Sequence, residues 1–202
     1  MPFLQAPGNI GLRRYWEDGQ LPGVGRCSRL NMLYGQGLSC GGEAILTDEV
    51  IKKQLGATAP GMLKFMQNAE SWSDRSLSMG SNCNIANIIS AIFAATGQDL
   101  CNTVDASAGK TQFVVNEGPE GGLKYTLWIP SLVIRTHQQA SELPTQKQSL
   151  QMMDCYGPNK VRKLGEIIAS FCIALDISTI ASVVAGEFTT AHEKLGKNRP
   201  TQ

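Results

Sequence analysis

The sequence is poor in the residues that build familiar catalytic centres. It holds only two histidines, His137 and His192, in 202 residues. A zinc site needing several imidazoles is therefore not expected. No CxxC pair occurs among Cys27, Cys40, Cys83, Cys101, Cys155 and Cys172, so metal-ligand and dithiol redox spacing are both missing. GxGxxG and a phosphate loop with Lys are absent, which removes the motifs for a dinucleotide fold and a P-loop. The pairs Gly41-Gly42 and Gly121-Gly122 read as turns. Charge is scarce and balanced, at 17% of residues and net +1. That provides no field to gather nucleic acid or an anionic membrane surface, although a few local Lys or Arg suffice for a small anion. No apolar run reads as the ~18 residues of a membrane span. The first residues show no basic region followed by an apolar run, so no secretory leader is expected. Reduced thiols and a cytoplasmic location are the matching expectation.

What is present fits a globular fold. Hydrophobic residues make up 42% of the chain, and this length buries roughly two thirds or more of the unfolded surface. There is no internal repeat and no sharp change in composition. Residues 1–26, rich in Gly and Pro, read as an irregular arm. Residues 27–202 read as one α+β domain.

The clearest stretch is NCNIANIISAIFAATGQDL, Asn82 to Leu100. Ile85, Ile88, Ile89, Ile92 and Phe93 share one helical face, alanines fill most of the rest, and Gly97 is a natural stop. This predicts a helix that is apolar nearly all round and central. Before it, Ser28–Tyr34 and Leu38–Leu46 read as two strands around Gly35-Gln36-Gly37. Thr47 is the N-cap of a helix reaching about Leu55, residues 60–68 form a short helix begun by Pro60, and Ala69–Gly80 is a loop. Lys110–Glu117 and Leu123–Ile129 predict a second hairpin, and Leu132–Arg135 a short extended run. Thr145–Tyr156 reads as a helix. Val161, Leu164, Ile168, Phe171 and Leu175 trace the stripe of a long C-terminal helix reaching about Gly186. A last helix spans Thr189–Leu195.

Several residues could carry chemistry. Asn84 and Asn87 are three apart and share a helix face. Buried amides need partners, from neighbouring backbone and the helix start or from the polar groups of a ligand. Asp99 follows the negative end of the helix dipole, where a carboxylate calls for a cation or ligand unless it sits in an ordinary surface turn. His192 precedes Glu193, Lys194, Lys197 and Arg199. It is either a solvated residue or an acid whose pKa the neighbouring cations lower, with Glu193 opposing.

Together, NCNIANIISAIFAATGQDL and AGEFTTAHEKLGKNRP resemble the 3-hydroxy-3-methylglutaryl-coenzyme A reductase family. The first resembles the family's asparagine-bearing helix that ends in Gly-Gln-Asp. The second resembles its Gly, a His six residues later, and a trailing Asn-Arg. KYTLWIPSLVIRT, ELPTQKQSLQMM and RLNMLYGQGLSCGGEAILTDEVIKKQL match in order, so the resemblance covers about residues 28–200. It implies the α+β fold of the C-terminal part of that family's large substrate-binding domain, with a long central helix, two hairpins and a long C-terminal helix. It implies reduction of hydroxymethylglutaryl-CoA by two NADPH to mevalonate and free CoA, in the mevalonate route to isoprenoids. By motif, Asp99 and His192 take catalytic roles. Asp99 tunes the groups around the carbonyl and His192 protonates the departing thiolate. Asn87, Asn84 and Arg26 fall to the substrate, and Asn198 and Arg199 to the cofactor. Sites in this family form between subunits, so a homo-oligomer or a full-length reductase subunit is the expected partner.

The departures are as specific. Gly25 stands where the family's Asp-Lys-Lys-Pro run would place its catalytic Lys. Arg26 or Arg29 could supply a cation there, but not a proton shuttle. RTHQQASELP replaces the family's Gly-rich nucleotide-contacting loop. The catalytic Glu motif and the Asp-Ala-Met-Gly-Met-Asn run of the small NADPH domain do not occur. Little or no reductase activity is therefore expected of this chain alone. The alternatives are a non-catalytic relative that binds acyl-CoA or pairs with a complete reductase, and a plain interaction domain.

Overall fold

Three segments with period-2 burial build one antiparallel sheet. The computed structural model describes residues 29–195. Strand β1 spans Leu38–Leu46, β2 spans Lys110–Val115 and β3 spans Leu123–Leu132, in the order β1-β3-β2. Pairing sets Ala44 and Phe113 on either side of Tyr125, and Gly42 and Thr111 on either side of Leu127. Tyr125, Leu127 and Phe113 are buried on the helix-covered side. Trp128, flanked by Gly41 and Lys110, lies on the other side and is exposed. One covered and one open face is the usual economy of an antiparallel sheet. β2 and β3 form the expected hairpin, and β3 runs through Pro130 to Leu132, so Leu132 ends this strand rather than starting a separate run.

Eight α-helices are described. The first, α1 (Arg29–Tyr34), overturns the expected strand over Ser28–Tyr34, and with it the hairpin around Gly35-Gln36-Gly37. Leu30, Leu33 and Tyr34 satisfy helical spacing as well as strand composition, and six residues are too few for the pattern to decide. At Gly37, φ is +72° and a Cβ would lie 2.5 Å from the Leu132 carbonyl oxygen, so the chain turns against β3 at a point where no side chain fits. Helix α2 (Asp48–Lys53) begins as expected, with Thr47 Oγ1 accepting from the Val50 amide. Helix α3 (Ala59–Arg75) is longer than the predicted 60–68 and takes in part of the expected loop. Its apolar anchors are Met62 and Met66, and the polar residues beyond them continue the helix as a solvated face.

Helix α4 (Ile85–Thr96) stops at Gly97, in the left-handed region at φ +70°. Ile85, Ile89 and Phe93 are fully buried, each worth roughly 1.5–3 kcal/mol of transfer free energy. The alanine side differs from the expectation of a helix buried all round: Ala86, Ala91, Ala94 and Ala95 are exposed. Helix α5 (Thr103–Ala106) follows a short 3-10 turn, and α6 (Pro144–Met152) follows another.

Helix α7 (Val161–Val184) lies across the covered face of the sheet. Leu164, Ile168, Cys172 and Ile180 are fully buried, whereas Phe171, expected on the inner stripe, points outward and is half-exposed. Gly42 belongs inside β1, not to a turn, and a Cβ there would lie 2.9 Å from Ile173 of α7. The missing side chain lets helix and sheet approach closely. By length and composition α7 could cross a membrane, contrary to the expectation that no run qualifies. Its inner side is the core of this fold. Helix α8 (Phe188–Leu195) completes the described chain.

Candidate active site

Alpha-helices begin with unsatisfied amides, and the two amides that lead into α4 find their acceptor 93 and 92 residues away. Asp176, fully buried on α7, accepts from the Cys83 amide at 3.1 Å and the Asn84 amide at 2.5 Å. The Tyr125 hydroxyl donates to the same carboxylate at 2.6 Å. A carboxylate at a helix N-terminus meets both the free donors and the positive end of the dipole. Burial pushes the Asp176 carboxyl above its ordinary value, and these hydrogen bonds pull it back down. Burial and the adjacent carboxylate push the Tyr125 hydroxyl upward. Asp176 thus ties α4, α7 and β3 together at one point. Sequence reasoning passed over it as one residue in an apolar helix. The signal was its spacing, four residues from both Cys172 and Ile180 on the core face, where an ionisable group needs partners.

The asparagines surround this point. Asn84 stands at the N-cap of α4, but its side chain makes no capping bond there. Instead its amide donates to Thr179 Oγ1 at 3.0 Å, and the Asn87 amide donates to Asn84 Oδ1. Asn82 donates to the carbonyls of Ser107 and Gly109, at 2.9 Å each. Each of these side chains thus donates to a protein group, while Asn87 remains exposed at the helix surface.

Asp99 is at the other end of α4. It is exposed and caps the 3-10 turn Leu100–Asn102, accepting from the Cys101 amide at 3.0 Å. Its neighbour Gln98 is buried and holds the segment in place. The Gln98 amide donates to the Arg135 carbonyl at 2.9 Å, and the Arg135 amide donates to Gln98 Oε1 at 2.8 Å. Gly97 permits this turn, since a Cβ on it would lie 2.5 Å from the Ala140 carbonyl oxygen. Gly97→Ala is expected to cost about 2–3 kcal/mol, from the left-handed backbone and the backbone clash together. Chemical denaturation would measure this, and a loss under 0.5 kcal/mol would contradict it.

His192 lies on α8, exposed, with Nδ1–H donating to the Phe188 carbonyl at 3.0 Å. Its ring rests against that of Phe188, centroids 4.2 Å apart. The start of α4 sits beside Asp176 and Thr179 of α7, while its end sits beside Arg135. Arg135 in turn lines a cavity with Val161 at the start of α7, so the two helices run antiparallel, and α8 follows the α7 end that lies near the start of α4. Asp99 and His192 stand at opposite ends of this pair and are not brought together within one chain. Arg26, Asn198 and Arg199 lie outside the described residues.

Nothing among the described residues forms a dinucleotide cradle. The sheet is antiparallel, and no Gly-rich turn leads from a parallel strand into a helix. No group of three or more His, Cys, Asp or Glu is placed to hold a metal among these residues. The five described cysteines are unpaired. Burial pushes the thiols of Cys40 and Cys83 up to about 11 and that of Cys172 to about 12, far from the thiolate form a nucleophile needs.

Comparison with known proteins places these motifs in context. The family model for hydroxymethylglutaryl-coenzyme A reductase matches residues 25–197. A 3-hydroxy-3-methylglutaryl-coenzyme A reductase of Methanocaldococcus jannaschii is 35% identical over 172 residues, covering 84% of this chain and 42% of the relative. One from Aeropyrum pernix is 34% identical over 175 residues, covering 83% and 41%. Another, reductase 1 of Hevea brasiliensis, is 30% identical over 178 residues, covering 84% and 31%. The chain thus spans about two fifths of the length of the archaeal relatives, and across that span it carries both Gly97-Gln98-Asp99 and the Gly186 to His192 spacing. With the match running through nearly all of its described fold, the chain belongs to the hydroxymethylglutaryl-coenzyme A reductase family.

Proposed function

We propose that this chain is one part of a hydroxymethylglutaryl-CoA reductase, contributing Asp99 and His192 to sites that other polypeptide completes. The observation that carries this reading is the family match over residues 25–197, a span that contains both motifs, on a fold that holds Asp99 and His192 at opposite ends. Such an arrangement makes sense when Asp99 of one subunit meets His192 of another, in an oligomer or with a complete reductase. Hydroxymethylglutaryl-CoA is the substrate and mevalonate and CoA the products, with NADPH as hydride donor bound outside the described residues. The cytoplasm is its proposed location. Asp99 acts on the groups around the reacting carbonyl. A departing thiolate calls for a general acid, and His192 takes that role. Asn84, Asn87 and Arg26 serve the substrate, and Asn198 and Arg199 the cofactor.

Gly25 favours a second reading beside this one: the chain binds acyl-CoA or pairs with a complete reductase and does no chemistry itself. A developing oxyanion needs a fixed cation, and the family's Lys has no counterpart at Gly25. The purified chain is expected to show no NADPH oxidation dependent on hydroxymethylglutaryl-CoA. Oxidation that disappears in His192→Gln would overturn the expectation. Co-purification with a complete reductase, and CoA binding lost in Asn87→Ala, would support the non-catalytic reading.

A further inference from the structure

We propose that residues 10–18 of this chain dock in the apolar groove between α1, the end of α3 and the open face of the sheet. The groove, of about 530 Å³, is lined by Met32 and Leu33 of α1, Leu77 just beyond α3, and Trp128 of β3. Leu33 is 79% exposed, Leu77 76% and Trp128 43%. Large apolar side chains gathered at one recess mark a surface that something covers. Leu77 adds to this. Its φ of +54° is the left-handed backbone that suits Gly or Asn, yet here it holds a bulky side chain out to solvent. The Ser73 hydroxyl, donating to the Gly80 carbonyl at 2.6 Å, closes the loop that presents it.

Two observations name the occupant. The first wall of the groove is α1, so the residues before Arg29 enter the described fold at the groove itself. Residues 19–28 extend to at most about 35 Å. Such a tether holds residues 10–18 at an effective concentration of about millimolar, an advantage that a separate partner lacks.

Charge is the second observation. Asp74 and Lys110 bring one charge of each sign to the groove, and neither has an ion-pair partner among the described residues. The segment IGLRRYWED carries Tyr15 and Trp16 between Arg13-Arg14 and Glu17-Asp18. Its aromatic pair suits the surface of Leu33, Leu77 and Trp128, with the arginines placed for Asp74 and the acids for Lys110. The segment precedes the family match, which begins at residue 25, so the docking does not depend on reductase activity.

Hydrogen exchange of the full chain, read by mass spectrometry, tests this. The amides of residues 10–18 should exchange about tenfold slower than those of an unstructured chain. Leu33→Glu and Leu77→Glu, both at exposed positions, should each remove that protection and leave the protection of β3 intact. Met152→Glu, exposed on α6 outside the groove, should keep it. Protection should also be constant over an approximately tenfold range of protein concentration. Unprotected residues 10–18 in the wild type, or protection that survives both groove variants, overturns the proposal. Protection that rises with concentration alongside a dimer in sedimentation also overturns it, and gives the groove to a second copy.

Discussion

Asp176→Ala is expected to lower stability by about 3–5 kcal/mol, the range for leaving buried charged-group partners unpaired. The substitution strips the acceptor from the Cys83 and Asn84 amides and from the Tyr125 hydroxyl at once. It also leaves a cavity between α4, α7 and β3. Tyr125→Phe removes one of the three bonds and should cost about 1.5–3 kcal/mol. The double variant should cost less than the sum, because both changes act on one network. Urea titrations of the four proteins measure this. An additive cycle, or an Asp176→Ala loss below 1 kcal/mol, would show that the carboxylate does not join the three elements.

The same residue carries a pH signature. Its folded pKa is raised above the ordinary 3.8, chiefly by burial. The folded state thus holds the proton more tightly than the unfolded chain. That contribution is fully present below pH 3.8 and is lost as pH rises through the raised folded value. The unfolding free energy of the wild type minus that of Asp176→Asn should therefore fall with rising pH over that window. A difference that grows instead would show that the three donors outweigh burial.

The second large effect is expected at Gln98. Gln98→Leu conserves size but leaves the Arg135 amide and carbonyl without their partner, at about 2–4 kcal/mol. The bonds to the Thr96 carbonyl and hydroxyl, at 3.2 and 3.1 Å, are lost as well. Hydrogen exchange at the Arg135 amide isolates the clamp from general destabilisation. Under strongly native conditions that amide should lose protection while the amides of β3 keep theirs. Unchanged protection would show that Gln98 merely fills space. Because Asp99 is the next residue, the clamp also determines where that carboxylate emerges.

Periodicity worked where segments were long. The apolar face of α4 and the run of α7 follow from spacing, because ten or more residues of one period leave little choice, and the hairpin of β2 and β3 follows from the Gly-rich turn between its strands. It failed at Arg29–Tyr34, where six residues satisfy helix and strand alike and only packing against β3 decides. Phe171 was misplaced because Cys172 and Asp176, not Phe171 and Leu175, complete the inner stripe. In the candidate site, Asp99 and His192 were visible through their motifs. Asp176 and Gln98 were not, because each is defined by a partner: Asp176 by amides 92 and 93 residues away, Gln98 by a backbone 37 residues away.

The sequence by itself determined the family motifs, the stop of α4 at Gly97 and the cap of α2 at Thr47. These depend on a residue's own conformational limits and its near neighbours. Tertiary structure alone decided that a buried carboxylate on α7 begins α4, that the alanine side of α4 stays exposed, and that Asp99 and His192 stand at opposite ends of a helix pair. The reason is physical: which amides go unpaired is local, but which distant group satisfies them depends on how the elements pack.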